Sequence, residues 1–153
     1  MFDMKHKTQD RENQALVLAL LRSQQLFMRA MGPVFRAHGL TAPQWDALET
    51  LANKGPVSMN DLMRFTLSTS GNLDVVIKNL IQAGLIEKSV DPEDKRGRIL
   101  QLSPEGRRKV DDFIPIHNQA LDQLFSGLGT AGKRQTITAL NQLRKTLTQA
   151  PRG

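Results

Sequence analysis

Residues 68–106 read STSGNLDVVIKNLIQAGLIEKSVDPEDKRGRILQLSPEG. From Ser68 to Ala83 the apolar residues Leu73, Val76, Ile77, Leu80 and Ile81 recur at i, i+3, i+4, i+7 and i+8. That spacing predicts a helix with one apolar face, stopped by Gly84. Its leading and opposite positions are Thr69, Ser70, Gly71, Asn72, Asp74 and Lys78, all small or hydrogen-bonding, with nothing bulky in the first turn. Such a helix can bury one side and press its slim polar front against another surface. Leu85–Val90 and Ile99–Leu102 follow as β-prone runs around Asp91-Pro92-Glu93-Asp94-Lys95-Arg96-Gly97-Arg98, which predicts a hairpin. A hairpin tip carrying Lys95, Arg96 and Arg98 beside that helix outlines a winged helix-turn-helix.

Working outward, Ser58-Met59-Asn60-Asp61 reads as a capping box and opens a short helix with Leu62, Met63 and Phe65. Short helix, tight turn and the Ser68 helix reproduce helix-turn-helix spacing. Upstream, Thr41-Ala42-Pro43-Gln44 is a capping box that opens a helix with Trp45, Leu48 and Leu51. Before it, Leu16, Val17, Leu20, Leu21, Phe27, Met28, Met31, Val34 and Phe35 trace a wide apolar stripe. Gly32-Pro33 predicts a kink or break in that helix. Met1 to Gln14 reads as a polar, mobile arm. Downstream, Ser103-Pro104-Glu105 starts a helix through Val110, Phe113, His117 and Leu124, kinked at Pro115. Thr130 is expected to cap a last helix with Ile137, Leu140, Leu143 and Leu147.

The expected architecture is mainly α with a small β-hairpin wing. One domain spans 15–150, with a winged helix-turn-helix at 41–102 flanked by dimerisation helices at 15–38 and 104–148. The flanking helices carry more apolar surface than a small winged helix can cover. A two-fold homodimer buries it, and so does a larger monomeric helical core. Symmetric DNA sites favour the dimer.

Composition narrows the function. The 153 residues hold 21 Lys and Arg against 15 Asp and Glu, a net charge of +6 that suits a polyanionic partner. No apolar run is long enough to span a membrane, and the polar start lacks a signal-peptide core, so a cytoplasmic place is expected. With no cysteine, thiol catalysis, disulfides and cysteine-ligated zinc are excluded. The histidines His6, His38 and His117 stand apart, so no metal and no cofactor is expected. Neither a nucleophile–base constellation nor a phosphate-binding loop appears, and an enzyme is not expected.

The order of helices, Leu40-Thr41-Ala42-Pro43-Gln44-Trp45, the acidic-then-basic wing Asp91–Arg98 and Leu102-Ser103-Pro104-Glu105-Gly106 resemble the MarR family of bacterial transcriptional regulators. The resemblance implies a homodimeric repressor on a pseudo-palindromic double-stranded operator, released by a small aromatic or phenolic anion. On this reading Ser68, Thr69, Ser70, Gly71, Asn72, Asp74 and Lys78 face the major groove. Ser70 and Asn72 lie near base edges and Lys78 on a phosphate. Arg96 enters the flanking minor groove, held extended by Asp94, with Lys95 and Arg98 beside it. Phe27, Met31, Phe35 and Trp45 are candidates to line an effector pocket, where Arg36 or His38 meets a carboxylate. A solvated charged turn for the wing, and plain core packing for the aromatic residues, are the competing structural roles. The competing function is a winged helix that contacts protein, which salt-dependent DNA binding would separate from the first.

Overall fold

The computed structural model describes the backbone of residues 4–67 and 70–151, and side chains from Thr8 onward except at 70 and 71. Helix α1 runs Met4–Arg36, α2 Ala42–Lys54, α3 Met59–Phe65 and α4 Ser70–Gln82. Strands β1 (Val57–Ser58), β2 (Ile86–Val90) and β3 (Arg98–Leu102) form an antiparallel sheet of order β1-β3-β2. Helices α5 (Pro104–Phe125) and α6 (Gly129–Gln149) complete the chain. The fold is thus mainly helical with a small wing, as its sequence pattern implies.

The chain groups into two compact units that divide within α5, between Pro115 and Ile116. The first holds the winged helix-turn-helix. Leu48 and Leu51 of α2, Leu62 of α3, Leu73, Ile77 and Leu80 of α4 and Leu100 of β3 are all fully buried together with Val110 and Phe113 of α5. One apolar stripe per helix closes this core, which is what their helical spacing demands. The second unit comprises the rest of α5, a turn of 3₁₀ helix at Ser126–Leu128, and α6, which has no buried residue.

Local chemistry explains the helix starts. The Gln44 N–H donates to Thr41 Oγ1 at 3.3 Å and the Thr41 N–H donates to Gln44 Oε1 at 3.0 Å, a closed capping box. Ser58 Oγ accepts the Asp61 N–H at 3.1 Å. The start of α5 is tied more tightly. Ser103 Oγ accepts the Gly106 N–H at 2.9 Å, and its hydroxyl donates to the Gly84 carbonyl at 2.5 Å. The Ser103 N–H donates to the Leu85 carbonyl at 3.1 Å. Gly84 ends α4 at φ +73°, a left-handed conformation that glycine adopts without strain. Gly106 is required for a different reason. A Cβ there would stand 2.0 Å from the Leu85 carbonyl oxygen, so only glycine lets α5 meet the strand entry.

Several boundaries depart from the sequence reading. Helix α1 reaches back to Met4, so residues 4–14 are helical where an arm was expected. It also continues through Pro33. Proline removes one donor, but its carbonyl still accepts the Ala37 N–H at 2.9 Å, and the helix has one turn left to run. Helix α5, by contrast, contains Pro115 within one helix, as expected. Thr130 does not cap α6: the helix begins at Gly129 behind the 3₁₀ turn, with Leu128 at the cap and no side-chain bond. Strand β1 is only two residues long and pairs Val57 with Leu100 and Ser58 with Ile99. A run that short has no period to recognise.

Candidate nucleic-acid interface

Helix α4 stands at the centre of the candidate interface. Its buried residues Leu73, Val76, Ile77 and Leu80 fix which side faces out. At about 100° per residue the opposite midline passes through Val75, Lys78 and Gln82, with Asn72 and Asn79 on one flank and Asp74 on the other. All six are exposed. Ser68 and Thr69 lie outside the described residues, and for Ser70 and Gly71 only the backbone is described. Val75 and Asn79 were not selected from the sequence. Their exposure follows from α4's angular phase, which the stripe Leu73–Ile81 already encoded.

Leu67, ahead of α4, is held from α2. Asp46 is half-buried, and its Oδ2 accepts the Leu67 N–H at 2.8 Å. Burial pushes the Asp46 carboxyl above its usual range, and the Leu67 hydrogen bond opposes that shift. A bond across 21 positions has no signal in a single sequence. On α3 the Arg64 guanidinium pairs with Asp61, and this pairing holds the Asp61 carboxyl below its usual range.

The wing is shaped by its acids. Strands β2 and β3 pair from Ile86 with Leu102 to Val90 with Arg98. In the turn, Asp91 Oδ1 accepts the Glu93 N–H at 2.9 Å and Asp94 Oδ1 accepts the Arg96 N–H at 3.0 Å. Two successive Asx turns therefore build the tip. The bond from Asp94 goes to the backbone of Arg96, where the sequence reading had it holding the guanidinium. Lys95 and Arg96 are exposed. Arg98 is exposed too, but its guanidinium donates to the carbonyls of Gly97 at 3.0 Å and Lys95 at 3.3 Å. Arg98 thus braces the turn on which Lys95 and Arg96 stand.

A cleft of about 440 Å³ is lined by Asp74, Ile77, Lys78, Ile81 and Gln82 of α4 together with Met59 and Lys88. It brings Asp74 and Lys78 together with Lys88, a strand residue that no sequence pattern linked to them.

The effector candidates are distributed differently. Met31, Phe35 and Trp45 are core residues, Trp45 only 3% exposed. Phe113 is their hub: its ring centroid lies 4.8 Å from that of Trp45 in an edge-on arrangement, 5.8 Å from Phe35 and 5.2 Å from His38. His38 is half-buried and its Nδ1 bonds the Val34 carbonyl at 3.0 Å. Lys109 donates to the His38 carbonyl at 2.5 Å. Phe27 is half-buried and Arg36 exposed, its guanidinium folded back over Gly32. Phe113 and Lys109 were missed as partners of this group, because α5 reaches it only through the tertiary fold. Among the described residues no three His, Asp or Glu side chains gather as a metal site, and no helix is long and apolar enough to cross a membrane.

Helix, turn, helix and braced hairpin define a winged helix-turn-helix. The sequence profile of the MarR family matches residues 38–97, from just past α1 to the turn of the wing, short of β3. The chain is 31% identical over 107 residues to the HTH-type transcriptional regulator YkoM of Bacillus subtilis, covering 70% of each chain. It is 32% identical over 106 residues to the HTH-type transcriptional repressor NicR of Pseudomonas putida, covering 69% of this chain and 65% of NicR. Among solved structures, BpsR of Bordetella bronchiseptica superposes with a TM-score of 0.78 at 26% identity, over 85% of this chain and 98% of that one. The fold is shared at lower identity, 19%, by a mutant MarR from E. coli complexed with operator DNA, with a TM-score of 0.77 over 86% of this chain and 96% of that one. This chain belongs to the MarR family of DNA-binding transcriptional regulators.

Proposed function

We propose that this regulator is a ligand-responsive repressor that binds a pseudo-palindromic operator as a homodimer. The observation that carries the operator reading is the pairing of an exposed polar face on α4 with a wing whose acids fold its backbone and leave Lys95 and Arg96 outward. The helix N-terminus and Asn72 serve the major groove, Lys78 a phosphate and Arg96 the minor groove. A protein-docking face would not need two cations presented on a braced hairpin tip.

Dimerisation is supported by apolar surface left outside each unit's core. On α1, Leu16, Val17, Leu21 and Leu26 are at least half exposed, and on α6 so are Ile137 and Leu147. A second copy of the chain is the partner that buries such surface symmetrically. Two reading helices then meet half-sites about 10 bp apart.

The effector is a small aromatic anion. Support comes from the ring cluster around Phe113 and from BpsR, whose DNA binding is regulated by 6-hydroxynicotinic acid. The ligand ring sits by Phe27 and the edge of the cluster, and its carboxylate meets Arg36 or His38. It stabilises a dimer whose reading helices no longer match the groove spacing.

The test couples two signals. Aromatic acids, 6-hydroxynicotinic acid among them, are titrated while Trp45 fluorescence and release of the chain's own upstream DNA are followed together. Coincident transitions support the proposal. DNA binding untouched by a broad panel removes the effector reading, and failure to bind upstream DNA removes the operator reading.

A further inference from the structure

Helix α4 exposes an aliphatic side chain in the middle of a polar face. Val75 is 56% exposed, while its neighbour Val76 is only 7% exposed. The exposed midline of α4 is Val75, Lys78 and Gln82, with Asn72 and Asn79 on one flank, so among the described side chains of this face Val75 has only polar neighbours. A β-branched residue is also a poor helix former, so helical propensity does not account for it. Equally telling is what α4 lacks. It contains no arginine, and the residues before it, Ser68 and Thr69, add none. The bidentate guanidinium that commonly reads guanine is therefore missing from the reading helix. Arg64, on α3, is paired with Asp61. Among its described side chains α4 offers a major groove three exposed carboxamides, Asn72, Asn79 and Gln82, which match the N6 and N7 edge of adenine, and one exposed aliphatic group, which matches the 5-methyl of thymine.

We infer that Val75 is a specificity determinant that packs on a thymine 5-methyl in each half-site, with Asn72 and Asn79 reading adenine beside it, so that the major-groove core is A·T. This rests on the operator reading above and adds to it the base composition that α4 selects. Lys78, the one cation on α4, supplies phosphate affinity that is blind to sequence.

The experiment begins with selection of duplexes bound by the full chain from a random pool. Each thymine of the selected half-site is then replaced singly by deoxyuridine, which removes only the methyl. Binding is measured by fluorescence anisotropy for wild type and Val75→Ala. Val75 is exposed and alanine favours helix, so the variant keeps the fold, which circular dichroism verifies. The expected result is one thymine per half-site where deoxyuridine weakens wild-type binding about three- to fivefold, the order of one buried methyl group. At that position Val75→Ala binds thymine and deoxyuridine equally. Three results overturn the inference: a G·C core in the selected half-site, no methyl-sensitive thymine, or equal methyl sensitivity in both proteins. Each leaves salt-dependent operator binding standing. A wild-type chain that selects no duplex overturns the operator reading as well.

Discussion

Replacing Gly106 with alanine isolates the joint between the wing and α5. The added Cβ would lie 2.0 Å from the Leu85 carbonyl oxygen and 2.9 Å from its carbon, both backbone atoms. Carbon and oxygen in contact normally stand about 3.3–3.6 Å apart, so more than an ångström of movement is needed. No rotamer change can supply it. The same carbonyl accepts the Ser103 N–H at 3.1 Å, and Ser103 in turn holds Gly84, so separating the segments loosens the joint. Overpacking costs about 1–3 kcal/mol. A weakened hydrogen bond adds about 0.5–1.5 kcal/mol. Together they predict a loss of about 2–4 kcal/mol, which for a chain of this size lowers Tm by about 5–15 °C. Gly32→Ala is the control in the same unit. Its Cβ meets only the Arg36 guanidinium, at 3.0 Å, which is exposed and free to swing aside. A helical alanine gains about 0.5–1 kcal/mol over glycine, so this variant should match or exceed wild type. Urea and thermal unfolding followed by circular dichroism measure both. A Gly106→Ala chain within about 0.5 kcal/mol of wild type would refute the reasoning, since substitutions free of such a feature usually fall in that range.

Three further predictions concern the interface. Asn72→Ala should cost about 1–3 kcal/mol on the selected operator and relax preference at one position per half-site, read by competition among point-substituted duplexes. Arg96→Ala should lower the salt slope of binding by about 1 per half-site, and Lys95→Ala should do less, because a mobile ammonium loses little at a solvated tip. Equal slopes for the two would reduce the wing to diffuse charge. Asp46→Asn keeps an acceptor for the Leu67 N–H and removes a charge that burial opposes. The carboxyl is raised from 3.8, so its contribution to stability is full below that value and is lost as pH rises through the folded-state pKa. Asp46→Asn should therefore equal or exceed wild type in urea at pH 7, with the gap closing toward pH 4. A variant less stable at pH 7 would show that the charged hydrogen bond outweighs burial.

Periodic and capping signals carried most of the fold. The stripe Leu73–Ile81 set the phase of α4, and Thr41, Ser58 and Ser103 marked helix starts that the structure forms. The misreadings cluster where punctuation is weak. No break forms at Pro33, which sits so near a helix end that its missing donor costs little. Thr130 follows a 3₁₀ turn that has no sequence signature. Of the candidate site, the local parts were legible: the exposure of Asn72, Asp74 and Lys78 on α4 and of Lys95, Arg96 and Arg98 on the hairpin. What joins distant positions was not. Asp46 reaching Leu67, Phe113 gathering Trp45, Phe35 and His38, and Lys88 closing a cleft with Lys78 all depend on packing. The role of Asp94 shows the boundary most clearly. Its proximity to Arg96 was readable, but whether backbone or guanidinium would take the carboxylate was decided by the turn's own unsatisfied N–H groups.

The central claim, a dimer reading duplex DNA through α4 and the wing, is tested most directly by the salt dependence of the full chain on its selected duplex. The account predicts a pseudo-palindrome bound by one dimer, with half-sites about 10 bp apart. If six or more phosphates are engaged, affinity should fall at least about a thousandfold between 50 and 200 mM salt. No enriched sequence, or an affinity that is flat across that range, would contradict it.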